Sequence, residues 1–155
     1  MAIFAGKYKG TIDDKGRVVL PAAFKKAMGE MKLEFVVLEQ NRRTRCVDIH
    51  TVEAWEKDVE EFTKDLNPET DPEDDELMDD YFDNFVTVPV AANGRINIPG
   101  ELLEYAGLVG KVVFKGMRNS IRLSSEEREE RRKVSDAEYL EKLKRLNERK
   151  KHREQ

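Results

Sequence analysis

This chain repeats itself. A shift of 78 residues sets Gly16-Arg17-Val18-Val19-Leu20-Pro21 over Gly94-Arg95-Ile96-Asn97-Ile98-Pro99, and Gly29 over Gly107. With four residues dropped from the second copy, Cys46-Val47-Asp48-Ile49-His50-Thr51 lies over Ser120-Ile121-Arg122-Leu123-Ser124-Ser125. Such a repeat fixes architecture more firmly than local propensity, because each copy must supply the same small unit and find somewhere to bury its apolar face. The chain has 155 residues, about one ordinary domain, so neither copy can bury a generous core alone. The expected division is a first repeat over 1–66, an acidic linker and helix start over 67–80, a second repeat over 81–132, and a charged tail over 133–155, helical or disordered.

Each copy carries the same order of elements. Gly6 to Ile12 and Phe85 to Val90 are strand-like, and each runs into a turn. In Asp13-Asp14-Lys15-Gly16 an aspartate can accept backbone N–H groups and the glycine can take a positive φ; Asn93-Gly94 is a strong hairpin signal. Both hairpins therefore turn just before an arginine, Arg17 or Arg95. Pro21 and Pro99 suit a first helical position. Phe24, Ala27 and Met28, or Leu102, Leu103 and Ala106, give the short helix a buried face, and Gly29 or Gly107 closes it. Leu33 to Leu38 and Lys111 to Phe114 are the expected third strands, Arg45 to Ile49 and Ser120 to Leu123 the fourth. Beyond them, Val52, Trp55, Val59, Phe62 and Leu66 form an apolar stripe on an acidic helix, while Ser124 and Glu127 have capping-box spacing. In the tail, Tyr139, Leu140, Leu143 and Leu146 make only a thin apolar seam.

The formal net charge of −4 conceals an uneven distribution. Residues 1–50 carry 10 basic and 6 acidic side chains, residues 51–85 carry 2 and 15, and residues 86–155 carry 16 and 11. Two basic flanks that could meet a polyanion thus surround an acidic middle. No apolar run approaches the roughly 18 residues needed to cross a membrane, and the first residues lack the basic lead and apolar core of a signal peptide. A cytoplasmic location with no membrane partner is expected. The lone Cys46 excludes an internal disulfide and a Cys-rich zinc site, and fits a small buried residue. His50 and His152 are far apart in sequence, and the acidic run 71–80 lacks a glycine-bearing ligand loop. No metal, cofactor or catalytic constellation is expected.

Asp13-Asp14-Lys15-Gly16-Arg17 fits a D-x-x-x-R signature. With Pro21, the 78-residue duplication, and Ala106-Gly107-Leu108 closing the second copy, the chain resembles the MraZ family over roughly 1–132. The resemblance implies an α+β, mainly β fold: two AbrB-like β-barrel repeats of swapped-hairpin type with short helices, followed here by a C-terminal helical tail. It implies a bacterial transcriptional regulator, not an enzyme, associated with the nucleoid and assembled as a ring-shaped homo-oligomer. Such a regulator binds double-stranded DNA at short direct repeats in the promoter of the division and cell-wall gene cluster, its own promoter included. Carried over residue by residue, Arg17 and Arg95 stand at the DNA-contacting arginines and Asp13 at the aspartate of the first motif. Ala91 stands where the second aspartate would be, leaving Asn93 and Gly94 to brace that turn as Asp13 and Gly16 brace the first. A guanidinium can meet a guanine edge or a phosphate at two points. Lys15, Lys7 and Lys9, on the same hairpin, could add phosphate contacts.

Plainer readings stand beside these. Asp13 and Arg17 could form an ordinary surface ion pair, and Lys7 and Lys9 could simply protect a strand edge. Arg42, Arg43 and Arg45 could bind phosphate or pair with the acidic helix. For the whole protein, the acidic helix and charged tail could serve a protein-interaction role; the resemblance, whose family's gene lies beside a ribosomal RNA methyltransferase gene, implies that enzyme as the partner. An AbrB-like antitoxin is a further alternative, against which the duplication argues.

Overall fold

The structure, a computed structural model, describes residues 3–29 and 34–154; Leu33, expected at the head of a third strand, lies outside them. The first copy supplies β1 (Lys7–Ile12), β2 (Arg17–Val19), α1 (Ala22–Ala27), β3 (Phe35–Asn41), β4 (Cys46–Thr51) and α2 (Val52–Thr63). The acidic segment forms α3 (Pro72–Phe82). The second copy repeats the order with β5 (Phe85–Pro89), β6 (Arg95–Asn97), α4 (Gly100–Ala106), β7 (Gly110–Gly116), β8 (Ser120–Ser125) and α5 (Glu126–Arg131), and α6 (Asp136–Glu154) ends the chain.

Six strands form one antiparallel sheet in the order β1-β7-β8-β4-β3-β5, and β2 and β6 form a separate two-stranded ribbon. The copies interleave. β1 pairs with β7, Gly10 opposite Val112, and its counterpart β5 pairs with β3, Val88 opposite Val36. In the middle of the sheet Asp48 faces Arg122, and in the ribbon Val18 faces Ile96. Each of the last two pairs joins a residue to its own equivalent in the repeat, so a pseudo-two-fold axis runs through both. The expected pair of β-barrels is corrected by this arrangement, because the large sheet is open and its edge strands β1 and β5 lie at opposite ends. Each copy contributes four strands of three to seven residues, and the two copies share them across one sheet and one ribbon instead of forming two separate barrels. Pairing across the copies lets both bury their apolar faces at once.

Alternation along the strands assigns the two faces of the sheet. Val36, Leu38, Val47, Ile49, Val112, Phe114, Ile121 and Leu123 join Val18, Ile96, Phe24 and Leu102 in one core, so the ribbon, α1 and α4 lie over the inner face. The opposite face carries Asp48, His50 and Arg122 and is covered in part by α2 and α5. There Arg122 Nε donates to Asp48 Oδ1 at 3.0 Å, and His50 Nε2 lies 2.7 Å from Glu39 Oε1. Burial pulls the Arg122 pKa down, but the Asp48 carboxylate outweighs it and holds the guanidinium above its ordinary value. Cys46 is buried among these strands as a free thiol.

The apolar stripe of α2 packs on the sheet at β3 and β4 and also reaches its neighbours: Phe62 stacks on Tyr81 of α3 at 3.7 Å between centroids, and Trp55 meets Phe85 of β5 edge-on at 5.7 Å. The basic cluster divides. Arg42 donates from Nε to Asn84 Oδ1 at 2.7 Å and from Nη2 to the Asp80 carbonyl at 3.3 Å, where the end of α3 favours a cation. Arg45 lies 4.3 Å over the Tyr105 ring, and Arg43 makes no ion pair among the described residues. Three boundaries move by one residue. Pro21 and Pro99 precede their helices as N-caps. Ser125, not Ser124, caps α5 by accepting the Arg128 N–H at 3.1 Å, because β8 runs through Ser125 opposite Val112. The tail helix α6 buries none of its residues. Among the described residues, no helix is long and apolar enough to cross a membrane.

Candidate functional site

The site is built from the ribbon. Val18 and Ile96 are buried beneath it, so the residues on either side of them, Arg17 and Val19 on β2 and Arg95 and Asn97 on β6, point outward. Arg17 stands opposite Asn97 and Arg95 opposite Val19. The two arginines are therefore diagonal neighbours, about 7–8 Å apart at the backbone. Outside the ribbon's paired residues, the Ile98 N–H donates to the Gly16 carbonyl at 2.7 Å and the Leu20 N–H to the Gly94 carbonyl at 3.0 Å, a symmetric pair of clasps. Gly16 and Gly94 both have positive φ, 84° and 87°. At Gly16 the approach is so close that a Cβ would collide with the Ile98 carbonyl.

The first turn is organised by Asp13. Its Oδ1 accepts the N–H groups of Lys15 at 3.0 Å and Arg17 at 2.9 Å, and its Oδ2 accepts from Arg17 Nε at 2.6 Å. The Arg17 backbone N–H, then its guanidinium, hold the Asp13 carboxyl below the usual carboxylate range, so it stays ionised as an anchor. Only Nε of Arg17 is engaged among the described residues, which leaves the Nη1–Nη2 edge outward. The second turn keeps the backbone pattern, with the Ala91 N–H donating to the Arg95 carbonyl at 2.9 Å, but Asn93 Oδ1 takes over the acceptor role, receiving the Arg95 N–H at 3.0 Å. The Arg95 guanidinium has no partner among the described residues.

The lysines separate. Lys15 is exposed in the first turn. Lys7 and Lys9 project to the other face of the sheet, toward α5. Lys7 Nζ lies 3.1 Å from the buried Glu129, which also pairs with Lys115. Burial pushes the Glu129 carboxyl up, but the ammonium groups of Lys115 and Lys7 outweigh it and hold it below the ordinary glutamate value. Glu130 is held low chiefly by Lys133, with a smaller contribution from Lys9. The structure thus brings Arg17, Arg95 and Lys15 together and places Lys7 and Lys9 elsewhere.

Two residues at the ribbon escape a motif search. Lys25, on α1, lays its stem over Gly94 and supplies the second turn with a cation where Lys15 has only Asn93 as its counterpart. Asn97 shares the arginines' face, a position readable from the Arg95-Ile96-Asn97 alternation although no motif marks it.

Fold and site together define a small α+β protein of internal two-fold symmetry whose paired hairpins fuse into one exposed, arginine-bearing ribbon. No protein-family model matches the chain, but it is similar to curated proteins named transcriptional regulator MraZ. It is 33% identical to that of Caldanaerobacter subterraneus over 137 residues, 88% of this chain and 91% of the relative. It is 32% identical to that of Lachnoclostridium phytofermentans over 126 residues, 81% and 84%, and 31% identical to that of Moorella thermoacetica over 136 residues, 86% and 90%. The chain belongs to the MraZ family of transcriptional regulators.

Proposed function

We propose that the protein regulates transcription by binding double-stranded DNA through the β2–β6 ribbon, with Arg17 and Arg95 contacting bases or phosphates and Lys15 and Lys25 contacting phosphates at the two ends. The observation that carries this reading is the outward pairing of two arginines on a two-stranded antiparallel ribbon stiffened from beneath by Val18 and Ile96. Such a ribbon is of a size the DNA major groove admits. Anchoring at Nε leaves Arg17 a planar edge suited to guanine or phosphate. Among the described residues no three His, Cys, Asp or Glu side chains are grouped to hold a metal ion.

One ribbon offers few contacts on a chain whose net charge is −4. A ring of copies presenting ribbons side by side to direct repeats would raise avidity by roughly 10²–10⁴ where the geometry fits. On this reading the target is the promoter of the division and cell-wall genes, the protein's own included, and the regulator works at the nucleoid. Charge reversal, Arg17→Glu, is the test: binding to promoter DNA should be lost in a gel-shift assay while the mass from light scattering stays that of the parent. Unchanged affinity would refute the assignment.

A further inference from the structure

We infer that Asn97 and its symmetry counterpart Val19 give the ribbon a direction, Asn97 reading an adenine–thymine base pair beside the contact made by Arg17. The inference rests on the reading of the ribbon as the DNA-binding face and adds to it a base-reading residue that no motif marks.

The axis through Val18 and Ile96 exchanges Arg17 with Arg95 and Val19 with Asn97. A reading surface made only of the arginines and the buried pair would meet a duplex equally well either way round. Direction comes only from equivalent positions that differ in chemistry, and at the centre of the outward face there is one such pair, valine and asparagine. One end of the face therefore offers Arg17 with Asn97 directly across the strand, and the other offers Arg95 with Val19.

The asparagine has no structural role that explains it. Its position is exposed, and its carboxamide makes no hydrogen bond among the described residues. Asparagine is also disfavoured in strands, whereas the valine at the equivalent place is a good strand former and is half exposed. A residue that opposes local propensity without a compensating contact is where a functional demand is expected. The chemistry fits the demand: a free carboxamide carries a donor and an acceptor spaced to match N6 and N7 of adenine in the major groove, and a branched aliphatic side chain matches the thymine methyl.

The test is selection of bound duplexes from a random DNA pool by the full chain, run in parallel for the parent, Asn97→Val and Arg17→Glu. Asn97→Val makes the central face symmetric at an exposed position, and an unchanged denaturation midpoint checks that the fold is kept. The parent should enrich a motif with an adenine preference at one position. In Asn97→Val that preference should fall by roughly 5- to 150-fold, with the arginine-dependent positions retained. An unaltered motif from Asn97→Val overturns the inference while leaving the ribbon reading intact. If the parent enriches no motif, or if Arg17→Glu enriches the same one, the ribbon reading fails and this inference falls with it.

Discussion

The two hairpin glycines are symmetry equivalents, yet substituting them should not be equally damaging, and the difference tests the geometry of the ribbon. Gly16 has φ 84° and Gly94 φ 87°, so alanine at either position must adopt a left-handed backbone, at about 1–2 kcal/mol. At Gly94 the new Cβ would meet the Lys25 Cδ at 2.7 Å, the middle of a flexible side chain that can swing into solvent. At Gly16 it would meet the Ile98 carbonyl, and Ile98 is the residue whose N–H closes on the Gly16 carbonyl at 2.7 Å. Relief there requires the strands to part, losing that hydrogen bond at about 1 kcal/mol and straining the backbone by about 1–3 kcal/mol more. Gly16→Ala should therefore destabilise by about 3–6 kcal/mol and Gly94→Ala by about 1–2 kcal/mol, summing those same terms. Urea denaturation followed by Trp55 fluorescence, at equal slopes, reads the two midpoints. A Gly94→Ala loss equal to or larger than that of Gly16→Ala would refute the account of how the hairpins are clasped.

Other consequences are as direct. Asp48→Ala leaves Arg122 without its carboxylate at the two-fold axis and should cost about 3–5 kcal/mol, with the apolar double variant Asp48→Ala/Arg122→Met recovering part of the loss; equal stability of the single and double variants would argue against a buried pair. The folded-state pKa of Glu129 is depressed, so the stabilisation it gives is present above its unfolded value, about 4.3, and is lost as pH falls through the lower folded value. Glu129→Gln should lower stability by about 1–2 kcal/mol at pH 7 and shrink the fall in stability between about pH 5 and pH 3, measured by denaturation at each pH. Asp13→Ala should weaken DNA binding by freeing Arg17, and Arg17→Lys should weaken it further in the same binding assay, since an ammonium lacks the planar edge.

Much of this fold was legible because the repeat is legible. Gly16-Arg17 and Gly94-Arg95 announced two like hairpins, and Pro21 and Pro99 marked the turn into like helices. What the sequence did not reveal was the pairing between copies. Nothing in Lys7 to Ile12 says that its partner is Gly110 to Gly116, since alternation fixes which face is buried but not which strand lies beside it. The same gap hid the ion pair at the axis: Asp48 and Arg122 are aligned by the repeat, and only the crossing of β4 with β8 sets one against the other. It also hid the surroundings of Lys7 and Lys9. They lie on the strand that leads into the Arg17 turn, but alternation along β1 in its pairing with β7 sends their side chains to the face covered by α5, whose Glu129 a one-dimensional reading leaves on a charged surface helix. Asn97 was readable in placement and silent in role, because its significance comes from a symmetry partner that differs from it.

Whether the ribbon is the surface that meets DNA can be read from hydrogen–deuterium exchange on the full chain with and without bound promoter duplex. Exchange at 13–20 and 91–99 should slow on binding, while β1 and the α5 and α6 segments stay as they were. Protection confined to α6 or to the Lys7–Lys9 side of the sheet, with the ribbon unchanged, would contradict it.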